Sequence, residues 1–431
     1  MEYKISDLCD IRRGASPRPI KNYIVDSYDN SLPWVKIADA TKDSSRYIYD
    51  TKERVSLEGS KKSVEVLPGD LILSNSATPG LPKFMKVKAC IHDGWLLLRN
   101  FKNVRKEFLY YILLLNRQKL LQLSNGSVFN NLKTDIVKNY IVDIPSIKKQ
   151  DKILKIIGNI EDKLDTNNKL IANLEELSQT LFKRWFVDFE FPDKDGNPYK
   201  SSGGEMIDSE LGKIPLNWSI KSIDEVADCQ NGYAFYKTGY SDSGYFVMDL
   251  GNINTNSQYV TTNKDKYINK KDIDQKKEKF LLKTNDLVMI MTDRTQAMNI
   301  LGRTVRITIP DYFVLNQRMF RIRVYDKYLL TYLQSLLNSE YTRQKFLSKS
   351  LGSAQKYINT KHITKHEIIL PNDVLLKKYY SSCENIILQS IELNEENSKL
   401  TLLRDTLLPK LMSGELEIPD DVEVNTDELS I

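Results

Sequence analysis

The sequence predicts an α+β protein of two pseudo-symmetric halves, each a mixed α/β block followed by one long helix. Three observations carry that expectation. First, GSVFNNLKTDIVKNYIVDIP, which begins at Gly126, recurs as GSAQKYINTKHITKHEIILP from Gly352. The offset of 226 holds without a gap over about sixty residues, so that Pro145 matches Pro371, Asn168 matches Asn394, Leu174 matches Leu400 and Leu181 matches Leu407. Second, VEVLPGDLILSNS and KFLLKTNDLVMIMT are short β-branched runs bounded by Pro-Gly or Asn-Asp turn signals. Third, FLYYILLLNRQKLLQL and YLLTYLQSLLNSEYTRQKFL repeat apolar residues at helical spacing.

Residues 1–147 form the first block. ISDLCDIRRG (5–14) pairs with IDEVADCQNG (223–232), LPWVKIADA with YFVMDLGNI, and PGDLILS with TNDLVMI, at offsets that drift as loops of different length require. Residues 148–190 form the first long helix, where Ile153, Ile157, Ile160, Leu164, Ile171, Leu174, Leu181 and Trp185 step by four and three. That is a coiled-coil seam, and Asn167 fills the slot between Leu164 and Ile171, where a buried polar residue fixes register. Leu177 and Phe182 widen the stripe. One helix over 150–188 would reach roughly 58 Å, beyond the size of a single block. The expectation is therefore that the two long helices bury each other as an antiparallel coiled coil, rather than each merely covering its own block.

Residues 191–216, FPDKDGNPYKSSGGEMIDSELGKIPL, read as a connector from their Gly, Pro, Ser and Asp content. The second block spans 217–371, the second helix 372–414 (with Leu400 and Leu407 in its seam), and an acidic tail 415–431.

Composition narrows the function. The mean hydropathy of -0.41 and 41% hydrophobic residues describe a water-soluble globular chain, with no apolar run fit to span a bilayer and no signal peptide in MEYKISDLCDIRRG. Cys9, Cys90, Cys229 and Cys383 lie far apart without metal-ligand spacing, which points to reduced thiols and a cytoplasmic address. SGELEIPDDVEVNTDELSI at the end holds seven acids and no Lys or Arg, which raises the formal +5 by seven, to +12, on the remainder. A basic body suits a polyanionic partner, although solubility alone is a common cause of modest charge.

Catalytic constellations fail one by one. There is no GxxxxGK[ST] loop and no GxGxxG after a strand, and Asn197-Pro198-Tyr199 lacks the second proline of an adenine methyltransferase motif. His362 and His366 in HITKH stand i, i+4, but no third ligand completes a metal site, so the pair reads as a solvated helix face. What remains is a binding surface. Its candidates in the first half are Arg12, Arg13, Ser16 and Arg18 around GASPRP; Lys36; Ser74, Asn75, Ser76, Thr78 and Lys83 of SNSATPGLPK; and Asn130, Asn131 and Lys133. In the second half they are Asn231, Tyr233 and Lys237; Asp293, Arg294, Thr295, Gln296 and Arg303 of TDRTQAMNILGR; and Ser353, Gln355, Lys356 and Tyr357. Arg and Lys suit phosphates, and Asn, Gln, Ser, Thr and Asp suit base edges. Each is ordinary on any surface, but these loops diverge between the halves while the helices agree.

LEELSQTLFKRWFVDFEF, GEMIDSELGKIPLNW, the Gly-Ser loop before each proline and the terminal LLRDTLLPKLMSGEL together resemble the specificity subunit of type I restriction-modification systems, over nearly the whole chain. The resemblance implies that each block is a target recognition domain reading one half of a split double-stranded DNA site. It implies that the long helices act as a spacer and dock two methyltransferase subunits, which use S-adenosylmethionine, while separate restriction subunits use ATP and Mg. It implies no cofactor and no catalytic residue in this chain. The competing classes are a subunit of a single-complex restriction system with its own catalytic activity, and a coiled-coil scaffold that reads no DNA.

Overall fold

The computed structural model describes residues 1–42, 45–124, 131–235, 239–260, 265–295, 297–309, 311–352 and 355–419. They fall into two compact units, Met1–Asp165 with the chain from Leu403 onward, and Thr166–Leu402. Both long helices are divided between the units, so each unit holds one strand-rich block and a length of each helix.

In the first unit, strand Glu2–Lys4 pairs antiparallel with Ile141–Asp143, which sets the two ends of the block side by side. A five-stranded sheet runs in the order Asp10–Arg13, Trp95–Arg99, Leu71–Ser74, Pro82–Met85, Tyr47–Ile48. A second runs Ile24–Val25, Glu53–Ser56, Ser31–Val35, Ala89–Ile91, Val64–Val66. Pairing is antiparallel except between Tyr47–Ile48 and Pro82–Met85 and between Ser31–Val35 and Ala89–Ile91. Leu71–Ser74 is buried at every position, which is why LILS shows no polar alternation. Helix Lys106–Leu115 buries Phe108, Leu109, Ile112 and Leu113, and the same core takes in Ile153, Leu154 and Ile157 from the first long helix and Leu408 and Leu411 from the second.

The second unit repeats this plan. Ser219–Ser222 pairs with Glu367–Leu370, and a four-stranded sheet runs Ala227–Asn231, Met319–Val324, Leu287–Ile290, Thr304–Arg306. Another runs Tyr240–Ser241, Tyr267–Ile268, Tyr245–Met248, Phe313–Leu315, its last pair parallel. Repetition reaches single bonds. Asp70 accepts from the Leu67 amide and from Arg99, and Asp286 accepts from the Lys283 amide and from Arg323. Gly69 and Asn285, which precede those aspartates, both take positive φ, +88° and +74°, as a tight turn into the strand demands.

The long helices are Ile147–Phe182 and Asp373–Ser413, again 226 apart, and the first ends in a π-helical turn, Lys183–Val187. Ile153, Ile157, Ile160, Leu164, Asn167, Ile171 and Trp185 are buried, and Leu174, Leu181, Leu400 and Leu407 half-buried. One expectation fails: Leu177 is 47% exposed and the small Ser178 fills the buried slot instead, seven residues after Ile171. Within the second unit Asn167 donates to Glu396 Oε2 at 2.7 Å and Asn397 Oδ1 at 3.0 Å, and the Trp185 ring lies 5.6 Å from Tyr379. Within the first, Arg404 donates to Glu161 at 3.2 Å.

The segment after the first helix is better packed than its composition suggests. Phe189, Phe191 and Trp218 are buried, Phe191 stacks on Trp218 at 5.3 Å, and Met206–Ile207 pairs with Ile214–Pro215. His366 also corrects the reading of HITKH. It is 6% exposed and rests against Phe346, because the chain turns there from helix Thr360–Thr364 into strand Glu367–Leu370 and the side chain points to the core. Among the described residues no helix is long and apolar enough to cross a membrane, and no group of three or more His, Cys, Asp or Glu is placed to hold a metal ion.

Candidate nucleic-acid interface

Three separate stretches of the first unit meet at the turn His92–Asp93–Gly94, between strands Ala89–Ile91 and Trp95–Arg99. The Gly14 amide donates to Trp95 O at 2.8 Å and the Ala15 amide to Ile91 O at 3.2 Å, which lays RRGAS along the turn. The Asn75 amide donates to Gly94 O at 2.8 Å, and Asn75 O in turn accepts from the Leu132 amide at 2.8 Å, which brings in Asn131 and Lys133. Side chains tighten the cluster: Ser16 Oγ donates to Asp93 Oδ1 at 2.8 Å, Arg13 Nε to Asp93 O at 2.9 Å, and Asn75 Nδ2 to the same carbonyl at 3.1 Å. The Ser16 hydroxyl, with Arg13 nearby, holds the Asp93 carboxyl below the usual carboxylate range. Burial lowers the His92 imidazole, leaving it neutral near pH 7.

Arg12, Arg13, Arg18, Asn131 and Lys133 are exposed, and Ser76 and Thr78 half-buried. Lys36 pairs with Glu53. Ser74 is fully buried, its hydroxyl donating to Thr78 O at 2.6 Å, so it shapes the loop and does not face solvent. Lys83 corrects its expectation: it is 4% exposed and its amine donates to Ser45 O, which removes it from the surface.

The second unit builds the same frame. The Gly232 amide donates to Met319 O at 2.9 Å, the Tyr233 amide to Leu315 O at 3.1 Å, the Met291 amide to Arg318 O at 2.9 Å and the Ile358 amide to Met291 O at 2.8 Å. These four bonds match, position for position, those of Gly14, Ala15, Asn75 and Leu132. Here Thr292–Asp293 also pairs antiparallel with Lys356–Tyr357, and Thr360 Oγ1 donates to Asn231 Oδ1 at 2.9 Å. Burial alone would raise the Asp293 carboxyl, but N–H groups of Thr295 and Ile300 outweigh it and hold it low. Asp293 is therefore a loop brace. Arg294, Thr295, Asn231 and Tyr357 are exposed; Tyr233, Gln355 and Lys356 are half-buried. Arg303 is half-buried, and burial, aided by Arg343, lowers its guanidinium from its ordinary value.

Asn130, Lys237, Gln296 and Ser353 lie outside the described residues. Sequence reasoning missed His92 and Asp93 in one unit and Gln317 and Arg318 in the other, which form the turn at the centre of each cluster. The available signal was their equal placement before the strands WLLLR and MFRIRV. Within these loops Ala77, Met298 and Arg318 carry φ of +56°, +50° and +74°, conformations that residues with a Cβ adopt at a cost.

Comparison with known proteins agrees along the whole chain. The family model described as the type I restriction modification DNA specificity domain matches residues 1–176 and again 215–400. The type I restriction enzyme MjaIX specificity subunit of Methanocaldococcus jannaschii is 24% identical over 97% of this chain and 93% of that protein. The HindI specificity subunit of Haemophilus influenzae is 26% identical over 74% of this chain and 79% of its own. The crystal structure of a type I restriction-modification S subunit from M. genitalium superposes with a TM-score of 0.58 at 12% identity, covering 95% of each chain, which shows a shared fold.

Proposed function

The chain belongs to the type I restriction-modification DNA specificity family and is a non-catalytic specificity subunit that serves DNA recognition, and from that premise we propose that each unit reads one half of a bipartite duplex site. One observation carries this reading: four equivalent hydrogen bonds hold the same turn in both units, while the side chains displayed on that frame differ. A constant frame with variable residues is what recognition of two different half-sites by one scaffold requires. Exposed Arg12, Arg18, Lys133 and Arg294 supply salt-dependent phosphate attraction, and Arg13 with the Asn, Ser, Thr and Gln residues supplies base-edge donors and acceptors.

The two long helices serve as an antiparallel spacer. Support comes from contacts that run in opposite directions along them: within the second unit Asn167 meets Asn397 and Trp185 meets Tyr379, and within the first Glu161 meets Arg404. The helices also dock two methyltransferase subunits, for which Leu170 and Leu177, seven residues apart and 43% and 47% exposed, offer an unfilled apolar stripe. S-adenosylmethionine belongs to those subunits, and ATP with Mg to the restriction subunits. A cytoplasmic site of action fits cysteines that form no disulfide.

The test is exchange. Replacing residues 1–147 by the same block of a relative, followed by genome-wide mapping of methylated adenines, should change one half of the modified sequence and leave the other intact. A change in both halves would overturn the modular reading.

A further inference from the structure

We infer that Arg318 reads a base in the half-site of the second unit, from the place that Arg13 serves in the first; this rests on the proposal that each unit recognises one half-site. The turns His92–Trp95 and Asn316–Met319 are equivalent, each closed by a bond from its fourth amide to its first carbonyl, 3.1 and 3.2 Å long. A glycine opposes each turn. A Cβ on Gly14 would stand 2.1 Å from His92 O, and one on Gly232 would stand 1.7 Å from Asn316 O, so nothing separates strand from turn and the two form one surface.

The units furnish that surface in opposite ways. In the first, the strand brings Arg13 and the turn brings Asp93 and Gly94, whose role is to hold Arg13 through the 2.9 Å bond to Asp93 O. In the second, the strand brings Asn231, already bonded to Thr360, and the turn brings the exposed Gln317 and half-buried Arg318. The guanidinium has crossed from strand to turn. Asp93 has no carboxylate counterpart there, since Gln317 stands in its position, and among the described residues Arg318 makes no ion pair and no side-chain hydrogen bond.

Arg318 is also a poor residue for its backbone. Its φ of +74° is one that glycine adopts without strain and a residue with a Cβ does not. A strained arginine without a side-chain partner among the described residues, on the central turn of a recognition surface, fits a side chain kept for an external one. Its planar fork matches the O6 and N7 acceptors of guanine in the major groove, and neighbouring Gln317 matches the N6 and N7 edge of adenine.

Arg318→Gly tests this without threatening the fold, because glycine relieves the turn. The full chain, wild type or variant, is produced in cells with its native partner subunits, methylated adenines are mapped, and binding of the purified complex is measured on duplexes carrying each base at each position of the motif. The expected result is an unchanged or higher melting temperature, with one guanine of one half-site becoming degenerate. Affinity for the original duplex falls about 10- to 100-fold while that for duplexes altered at this base stays level. Arg13→Ala should relax the other half-site. An intact motif with Arg318→Gly overturns the inference, as does a uniform loss over all sequences, the mark of a phosphate contact. If the wild-type chain yields no bipartite methylated motif, it is the underlying half-site reading that fails.

Discussion

Three equivalent positions show how differently the two units solve one packing problem. Phe84 of the first unit and Arg306 of the second occupy the same place in their sheets, opposite Leu71 and Leu287. Tyr110 and Thr331 correspond on the following helices, and Gly158 and Glu384 lie 226 apart on the long helices. The first unit stacks Phe84 on Tyr110 at 5.2 Å and leaves Gly158 bare. The second buries an ion pair: Arg306 donates to Glu384 at 2.7 and 2.9 Å, and Thr331 donates to the same carboxylate at 2.6 Å. A changed residue on the sheet thus goes with changed residues on two helices. The frame is duplicated, but the contact between sheet and helix was refitted as a set.

The largest effect should follow from breaking one partner. Glu384→Ala strands a buried guanidinium and should cost about 3–5 kcal/mol, read as lost hydrogen-exchange protection in Thr166–Leu402. Phe84→Ala should cost a similar amount, about 3–5 kcal/mol, by leaving a cavity, with the loss appearing in the first unit. Loss in the same unit from both variants would break the comparison.

Next comes acid. His366 stands where the first unit has Tyr140, and burial, with Lys345 and Lys349 near, lowers it to about 4. The unfolded imidazole binds its proton near pH 6.5, so the folded state loses stability as pH falls from 6.5 towards 4, by roughly 3 kcal/mol at most. Melting curves at pH 7 and 4.5 should therefore diverge for the second unit, and His366→Tyr should bring them together; curves that still diverge equally would refute the assignment. Two buried carboxylates carry opposite signs. Burial alone would raise Glu384, but bonds from Arg306 and Thr331 outweigh it and hold it low, so its contribution is lost as pH falls through its folded pKa. Burial raises Glu161 of the first unit despite Arg404, so its contribution declines as pH rises through its folded pKa.

A smaller effect should follow from removing both charges at once. Arg306→Met with Glu384→Met restores the apolar solution of the first unit and should be close to neutral, far below the cost of Glu384→Ala alone. A double-mutant cycle with additive losses would show that the pair is not coupled. Smallest of all is Lys365→Asn. Lys365 pairs with Asp224 at 2.7 Å on the surface, where the first unit has Asn139 and Ser6, and the melting temperature should not move.

Much of this was legible in the sequence because the repeat is gapless where helices dominate. Pro145 and Pro371, and the seam from Ile153 to Ile171, follow from spacing alone. Leu177 misled because its hydrophobicity outranked that of Ser178, although the seven-residue step from Ile171 favours the serine. Phe189, Phe191 and Trp218 were hidden by the Gly and Pro around them. The candidate surface was half legible: polar loops can be read as loops, but which ones share a turn depends on strand register, and so His92, Asp93, Gln317 and Arg318 went unnoticed. Lys83 looked like a phosphate ligand only because its partner, a backbone carbonyl, has no signature in sequence.

The makeup of the first unit has a bearing on biosynthesis. Its core includes Leu408 and Leu411, more than 240 residues downstream of Asp165, whereas the second unit is one continuous stretch, Thr166–Leu402. Domains usually mature in the order in which they leave the ribosome. Here the order is inverted: the half made first cannot close its core until Leu408 and Leu411 have been made, and the half made second can be complete before it. A nascent chain stopped near residue 400 would carry a finished second unit and an unfinished first.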